Sequence, residues 1–184
     1  MSTVAEQTTT TVIPEGTWTI DPVWSAVGFE VKKIGIAAIK GRALGFEGTI
    51  TGGEKPAIEG SVDVSSLTTF DGTRDAHIQS PDFVDAERYP RIRFESTSVE
   101  ERGDELIAHG DLTIKAETRP VELRGSLVGS GIDPTGNERM VVELETTIDR
   151  TDFGVDWNAP VPGGGVMLPH DVLLSATFAA VRTA

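Results

Sequence analysis

The sequence predicts an all-β, antiparallel chain closed into a barrel, and three observations carry that prediction. From Thr17 onward the apolar residues recur with a period of two, the spacing of a sheet with one apolar and one wet face. Turn signals separate the runs: Gly52-Gly53, Gly103-Asp104, and Asp133-Pro134 followed by Gly136-Asn137. Eight or more runs of about ten residues, with no second apolar face for another sheet, favour closure, which removes exposed edges. A two-sheet sandwich is the alternative architecture.

Taken in order, Val23, Ser25, Val27, Phe29 and Val31 share one face of the first long run. Leu44, Phe46, Gly48 and Ile50 follow, then Ile58, Gly60, Val62 and Val64, then Ile92, Phe94 and Ser96. Leu106, Ala108, Gly110, Leu112 and Ile114 form the next face, and Val121, Leu123, Gly125 and Leu127 the one after. Met140, Val142, Leu144, Thr146 and Ile148 precede the last, Val172, Leu174, Ala176 and Phe178. Two segments break the alternation. Phe70–Tyr89 is polar, with a helix start at Asp71, and reads as short helices between strands. Asn158–Pro169 holds three prolines and Gly163-Gly164-Gly165, and reads as a loop. Residues 1–15, rich in Thr, read as a flexible leader, leaving one domain at 16–184.

Strands of about ten residues at roughly 3.3 Å each make an elongated barrel. Eight strands enclose room for side chains or for one slim ligand. The inward list includes Gly48, Gly60, Ala108, Gly110, Gly125 and Ala176, too small to fill an interior by themselves. They leave either a cavity or the sharp bends that barrels require.

Composition narrows the function. The net charge of −13 disfavours non-specific binding to nucleic acid or anionic membranes. The lack of cysteine removes disulfides, thiolate metal sites and cysteine nucleophiles. No run reaches the roughly 18 apolar residues of a membrane span, so stable membrane insertion is not expected. The start MSTVAEQTTTTVIPEG has neither the basic nor the apolar region of a secretory signal, and a cytoplasmic location is the expectation.

Chemistry-bearing motifs are few. His77, His109 and His170 are far apart, and His109 shares a strand face with Ile107, Asp111 and Lys115, a surface pattern. No HExxH, GxSxG, phosphate-binding or dinucleotide-binding pattern occurs. Asp149, Asp152 and Asp156 around Arg150 match no calcium loop and read as strand-end charges. Asp71, Asp75, His77 and Asp82 could supply a hydrolase, but helix capping and solvation account for them. Neither a catalytic set nor a metal site nor a cofactor is expected.

The segment RDAHIQSPDFVDAERYPRIRFES (74–96) resembles the signature of the YceI-like family of polyisoprenoid-binding, lipocalin-like proteins. So do TWTIDPVWSAVGFEVKKIGIAAIKGRALGFEGTI (17–50), GDLTIKAETRPVEL (110–123) and IDRTDFGVDWN (148–158). The resemblance implies an extended eight-stranded antiparallel lipocalin-like barrel with short helices inserted between strands. It also implies a long apolar pore for an isoprenoid or alkyl-chain lipid, a homodimer, and no enzymatic chemistry. Trp24 stands where the family commonly has a histidine, Lys33 replaces another, Val84 a second phenylalanine after Phe83, and Ala116 a glycine.

Together these readings nominate the pore lining as Phe29, Phe46, Val62, Phe94, Leu112, Ile114, Leu144 and Phe178, with Phe83 and Trp157 from the segments that carry the resemblance. Arg42, Arg74, His77 and Arg150 are nominated as head-group contacts, Arg74 and Asp75 equally serving as a structural latch. Three functions compete: storage or transport of an apolar lipid, a stress or interaction protein with a solidly packed barrel, and a hydrolase or isomerase at the barrel mouth using Asp75 and His77.

Overall fold

The computed structural model describes residues 13–184. Its strand segments are β1 (Gly16–Ile20), β2 (Ala26–Lys33), β3 (Ala37–Ala43), β4 (Phe46–Gly52), β5 (Ala57–Asp63) and β6 (Leu67–Thr68), followed by β7 (Arg91–Arg102), β8 (Glu105–Ile114), β9 (Glu117–Ile132), β10 (Glu138–Asp149) and β11 (Asp171–Arg182). A helix, α1 (Gly72–Ile78), lies between β6 and β7, and a 3₁₀ turn covers Arg150–Phe153.

The first six segments are halves of three long strands, each interrupted by a short step. β1 pairs with β4 and β2 with β3, so β1–β2 and β3–β4 run as one long hairpin. β5 pairs with β4, and β6 continues that edge onto β3 through Ala43↔Leu67. The result is an up-and-down barrel of eight antiparallel strands. It closes on β11, which pairs with β10 on one side and with both β1 (Trp18↔Arg182) and β2 (Phe29↔Leu174) on the other. Beyond Asp63↔Arg91 the β5–β7 pairing ends, and residues 69–90 with α1 occupy the opening.

The steps correct two inward assignments. Val23 is 83% and Leu44 64% exposed, because each lies in a step between strand halves, where strict alternation lapses. At the end of the proposed leader, Ile13 is fully buried, and the Trp18 indole N–H donates to the Pro14 carbonyl at 2.9 Å. The remainder of the proposed leader, 1–12, lies outside the described residues.

The two ends of the barrel are filled differently. Around Trp18, the core of Ile13, Ile50, Leu106, Met140, Val142 and Ala180 is solid. Burial of such side chains contributes about 1.5–3 kcal/mol each, so this plug is the main anchor of the fold. Toward α1 the apolar side chains face an open interior instead. The small residues therefore answer both readings. A Cβ on Gly125 would stand 1.7 Å from the Glu143 carbonyl oxygen, which marks a close approach of strand backbones, and one on Gly110 would strike the Phe94 ring at 2.6 Å. Close approach of neighbouring backbone and rings accounts for these glycines, and a cavity remains beside them.

Candidate functional site: an apolar cavity and its mouth

The open half of the barrel holds a cavity of about 800 Å³, at the upper end of the range for small-molecule sites. All ten nominated apolar residues border it: Phe29, Phe46, Val62, Phe83, Phe94, Leu112, Ile114, Leu144, Trp157 and Phe178. The strands place eight of them by parity. Phe29 faces Gly41 across the β2–β3 pair, and the ring occupies the space a side chain at 41 would need, so the glycine lets the phenylalanine lie flat on the wall. Phe94 uses Gly110 in the same way.

Other lining residues come from outside the strands. Ile78, Val84, Phe153, Val155, Met167 and Leu168 all border the cavity. Without a repeat, no period in the sequence marks their direction. The nearest signal was Val84 in the family-like segment. Val27, Val31, Ile92, Val172 and Leu174 also line the wall, on the faces the alternation assigned.

Of the nominated polar residues, Arg74, His77 and Arg150 border the cavity and Arg42 does not. Arg42 alternates with the buried Gly41 and Ala43, so the pleat turns it to solvent. Trp24 is exposed on the β1–β2 step and is likewise absent from the wall, whereas Lys33 stands at the mouth.

Arg74 is latched. Its Nε donates to Thr69 Oγ1 (2.7 Å) and its Nη2 to the Thr69 carbonyl (3.1 Å). Asp75 accepts from Thr68 Oγ1, Thr69 N and Thr69 Oγ1 at 2.6–2.7 Å. These donors, with Arg74 beside them, hold its carboxyl below the usual range. Asp71 caps α1 by accepting from Arg74 N at 2.9 Å. The pair thus ties α1 to the end of β6, and two acids of the hydrolase reading, Asp71 and Asp75, are engaged in holding the backbone. His77 Nε2 lies 2.9 Å from Asp82 Oδ2, and its ring stands edge-on to Phe83 and Trp157, with centroids 4.9 and 4.7 Å away. This aromatic trio joins the α1 segment to the chain after β10.

Arg150 is only 5% exposed. Its Nε donates to the Pro169 carbonyl (2.8 Å) and its Nη1 to the carbonyls of Val155 (2.7 Å) and Trp157 (3.0 Å). Nη2 is buried without a hydrogen-bond partner. Burial pushes the guanidinium pKa down, and the charges of Asp149 and Asp156 act the other way. The side chain is a clamp for the long loop that borders the mouth. Asp149 accepts from Thr151 N and Oγ1 (2.9 and 2.6 Å), which starts the 3₁₀ turn. Among the described residues no three His, Asp or Glu side chains are grouped to hold a metal ion.

Comparison with known proteins gives a consistent result. The family model of the YceI-like domain matches residues 18–180. Protein YceI of Escherichia coli O157:H7 is 38% identical over 133 residues, 70% of either chain. Protein YceI of Salmonella arizonae is 35% identical over the same length and shares. Burkholderia cenocepacia BcnA superposes with a TM-score of 0.73 at 20% identity, covering 89% of this chain and 99% of its own. A polyisoprenoid-binding domain from Saccharophagus degradans, implicated in plant cell wall breakdown, gives 0.68 at 11% identity, covering 90% and 98%. The two structures share the closed antiparallel barrel.

Proposed function

We propose that this protein, which belongs to the YceI-like family, is a non-enzymatic container that stores or transports one long-chain isoprenoid or other apolar lipid. The observation that carries the reading is the cavity of about 800 Å³, walled by aliphatic and aromatic side chains and plugged at one end. Each methylene-sized group moved from water into such a wall contributes about 0.8 kcal/mol, so a five-carbon isoprene unit contributes up to roughly 4 kcal/mol before ordering costs. A few units give tight binding with no polar contact, and chain length is selected by the distance from plug to mouth.

The competing readings fare less well. A solidly packed interaction barrel conflicts with the open half of the interior. A mouth hydrolase would need Asp75 free, and three donors occupy it. Homodimerisation belongs to the proposal on the family resemblance.

Titration with a long polyprenol tests the reading. Saturable uptake of one chain per barrel is expected, together with its loss in Ala176→Phe, which fills the lumen from β11. Uptake that does not saturate, or that is unaltered by the filling substitution, would overturn it.

A further inference from the structure

Charge and apolar exposure at the mouth are distributed in a way that the net charge of −13 conceals. The β2–β3 turn is formed by Ile34, Gly35 and Ile36, with Lys33↔Ala37 the last register pair. Ile34 is 52% and Ile36 89% exposed, and Ala37 and Ala38 beside them are exposed too. Ile34 has φ +54°, the left-handed region that a β-branched residue enters only at a cost. A glycine or asparagine would make this turn without strain, yet the position presents a large apolar side chain to solvent.

Four cations sit on this hairpin. Residues 31–43, VKKIGIAAIKGRA, carry Lys32, Lys33, Lys40 and Arg42 and no acid. Lys32 and Lys33 adjoin the turn, and Lys40 pairs with Glu30 at 3.7 Å while staying exposed. The hairpin is joined to the long mouth loop by Ile34 N donating to the Met167 carbonyl at 2.9 Å. That loop, 157–169, contains no charged residue and exposes Val166. Val31, Lys33, Ile39, Met167 and Leu168 from the same two segments border the cavity. The turn and the 157–169 loop carry no acid; Asp71, Asp82, Asp152 and Asp156 lie on the α1 segment and after β10, while Glu30, paired with Lys40, and Asp171 at the start of β11 flank the hairpin below its turn.

We infer that the β2–β3 turn and the 157–169 loop dock the cavity mouth onto the surface of an anionic lipid bilayer. Exposed isoleucines beside lysines are the pattern of a reversible interfacial anchor, with apolar side chains in the headgroup region and cations on the lipid phosphates. Charges farther than about 8–10 Å are screened at physiological ionic strength, so the remote acids that dominate the total do not cancel the attraction at the tip. Docking there opens the mouth directly against the phase from which an apolar chain would be drawn. The purpose of docking rests on the container reading; its test does not.

Flotation of the full chain with phosphatidylcholine vesicles, with and without phosphatidylglycerol, tests the inference. Flotation only with the anionic vesicles, weakening with salt, is expected. Ile36→Asp and Lys32→Glu, both outside the cavity wall, should each lower it at least about fivefold while leaving polyprenol uptake from detergent unchanged. Ile132→Asp, an exposed site at the far end of β9, should float as the parent does. Failure of the parent to float would overturn the docking and point to a protein as the delivery partner. Equal loss in Ile132→Asp, or undiminished flotation of both mouth variants, would overturn it as well. A protein that floats as described but takes up no polyprenol would keep the docking and reject the container.

Discussion

The rings of His77 and Trp157 meet edge to face with centroids 4.7 Å apart, and this contact joins two segments that are 80 residues apart and otherwise anchored to different strands. His77 belongs to α1, which is tied to β6 through Thr68 and Thr69. Trp157 belongs to the loop held by Arg150. Phe83 completes the trio against both rings, so one side of the mouth is closed by stacking rather than by hydrogen-bonded strands.

Trp157→Ala should therefore loosen the mouth more than the fold. Aromatic contacts of this kind are worth about 0.5–1.5 kcal/mol each. A melting temperature lowered by a few degrees, with polyprenol released about tenfold faster, is expected from thermal melts and stopped-flow release. Release at the parental rate would place the exit elsewhere.

Arg150 makes three donations to backbone carbonyls from a buried position. Arg150→Met should cost about 3–5 kcal/mol, since hydrogen bonds to a charged donor contribute about 1.5–3 kcal/mol each and are partly replaced by water. Arg150→Lys should rescue little, because an ammonium lacks the planar fork that reaches several carbonyls at once. Denaturant unfolding of the three proteins reads the order. Full rescue by lysine would show that charge alone is what the loop requires.

Leu112 is buried on β8, opposite Phe94 in the register, and faces the cavity. Leu112→Arg should abolish lipid uptake yet leave a folded barrel, because the open lumen has room for the guanidinium. In a packed core the same change would add an unpaired buried charge, costing several kcal/mol against a total of about 5–15. A thermal melt with the lipid content of the variant separates the cases: folded and lipid-free is the expectation, and an unfolded chain would argue for a packed interior.

Asp133, Asp21, Asp75 and Asp149 are each held below the ordinary value of 3.8 by hydrogen bonds that require the carboxylate. Asp133 and Asp21 share Arg139, whose Nε donates to the first at 2.6 Å and whose Nη1 donates to the second at 2.9 Å. A carboxyl with a depressed folded-state pKa stabilises the fold fully above its unfolded value, and the gain is lost as pH falls through the folded value. The melting temperature should thus hold steady from neutral pH to about 4 and fall below it. Asp133→Asn should lower the neutral plateau and make the acid limb shallower. An acid limb unaltered in the variant would assign acid sensitivity to other groups.

Much of the wall was legible because a pleated strand has one bit of ambiguity per run. Once Leu112 is inward, Ala108, Gly110 and Ile114 follow, and all four are buried as the alternation required. The same rule misplaced Val23 and Leu44, since alternation cannot register a step within a strand. It was also silent on Phe153, Val155, Met167 and Leu168, which reach the cavity from outside the strands. Arg42 was nominated for its charge, and its parity, opposite to Gly41 and Ala43, already pointed outward. The mouth depends on contacts between remote segments, such as His77 with Trp157, and no local pattern encodes those.

A container of this kind is purified with its barrel occupied. Mass spectrometry of an organic extract of the natively purified protein is the direct measurement. One isoprenoid or alkyl-chain lipid per barrel, absent from the Leu112→Arg extract, is the predicted result. A parent extract free of lipid, from a barrel that also refuses added polyprenol, would contradict it.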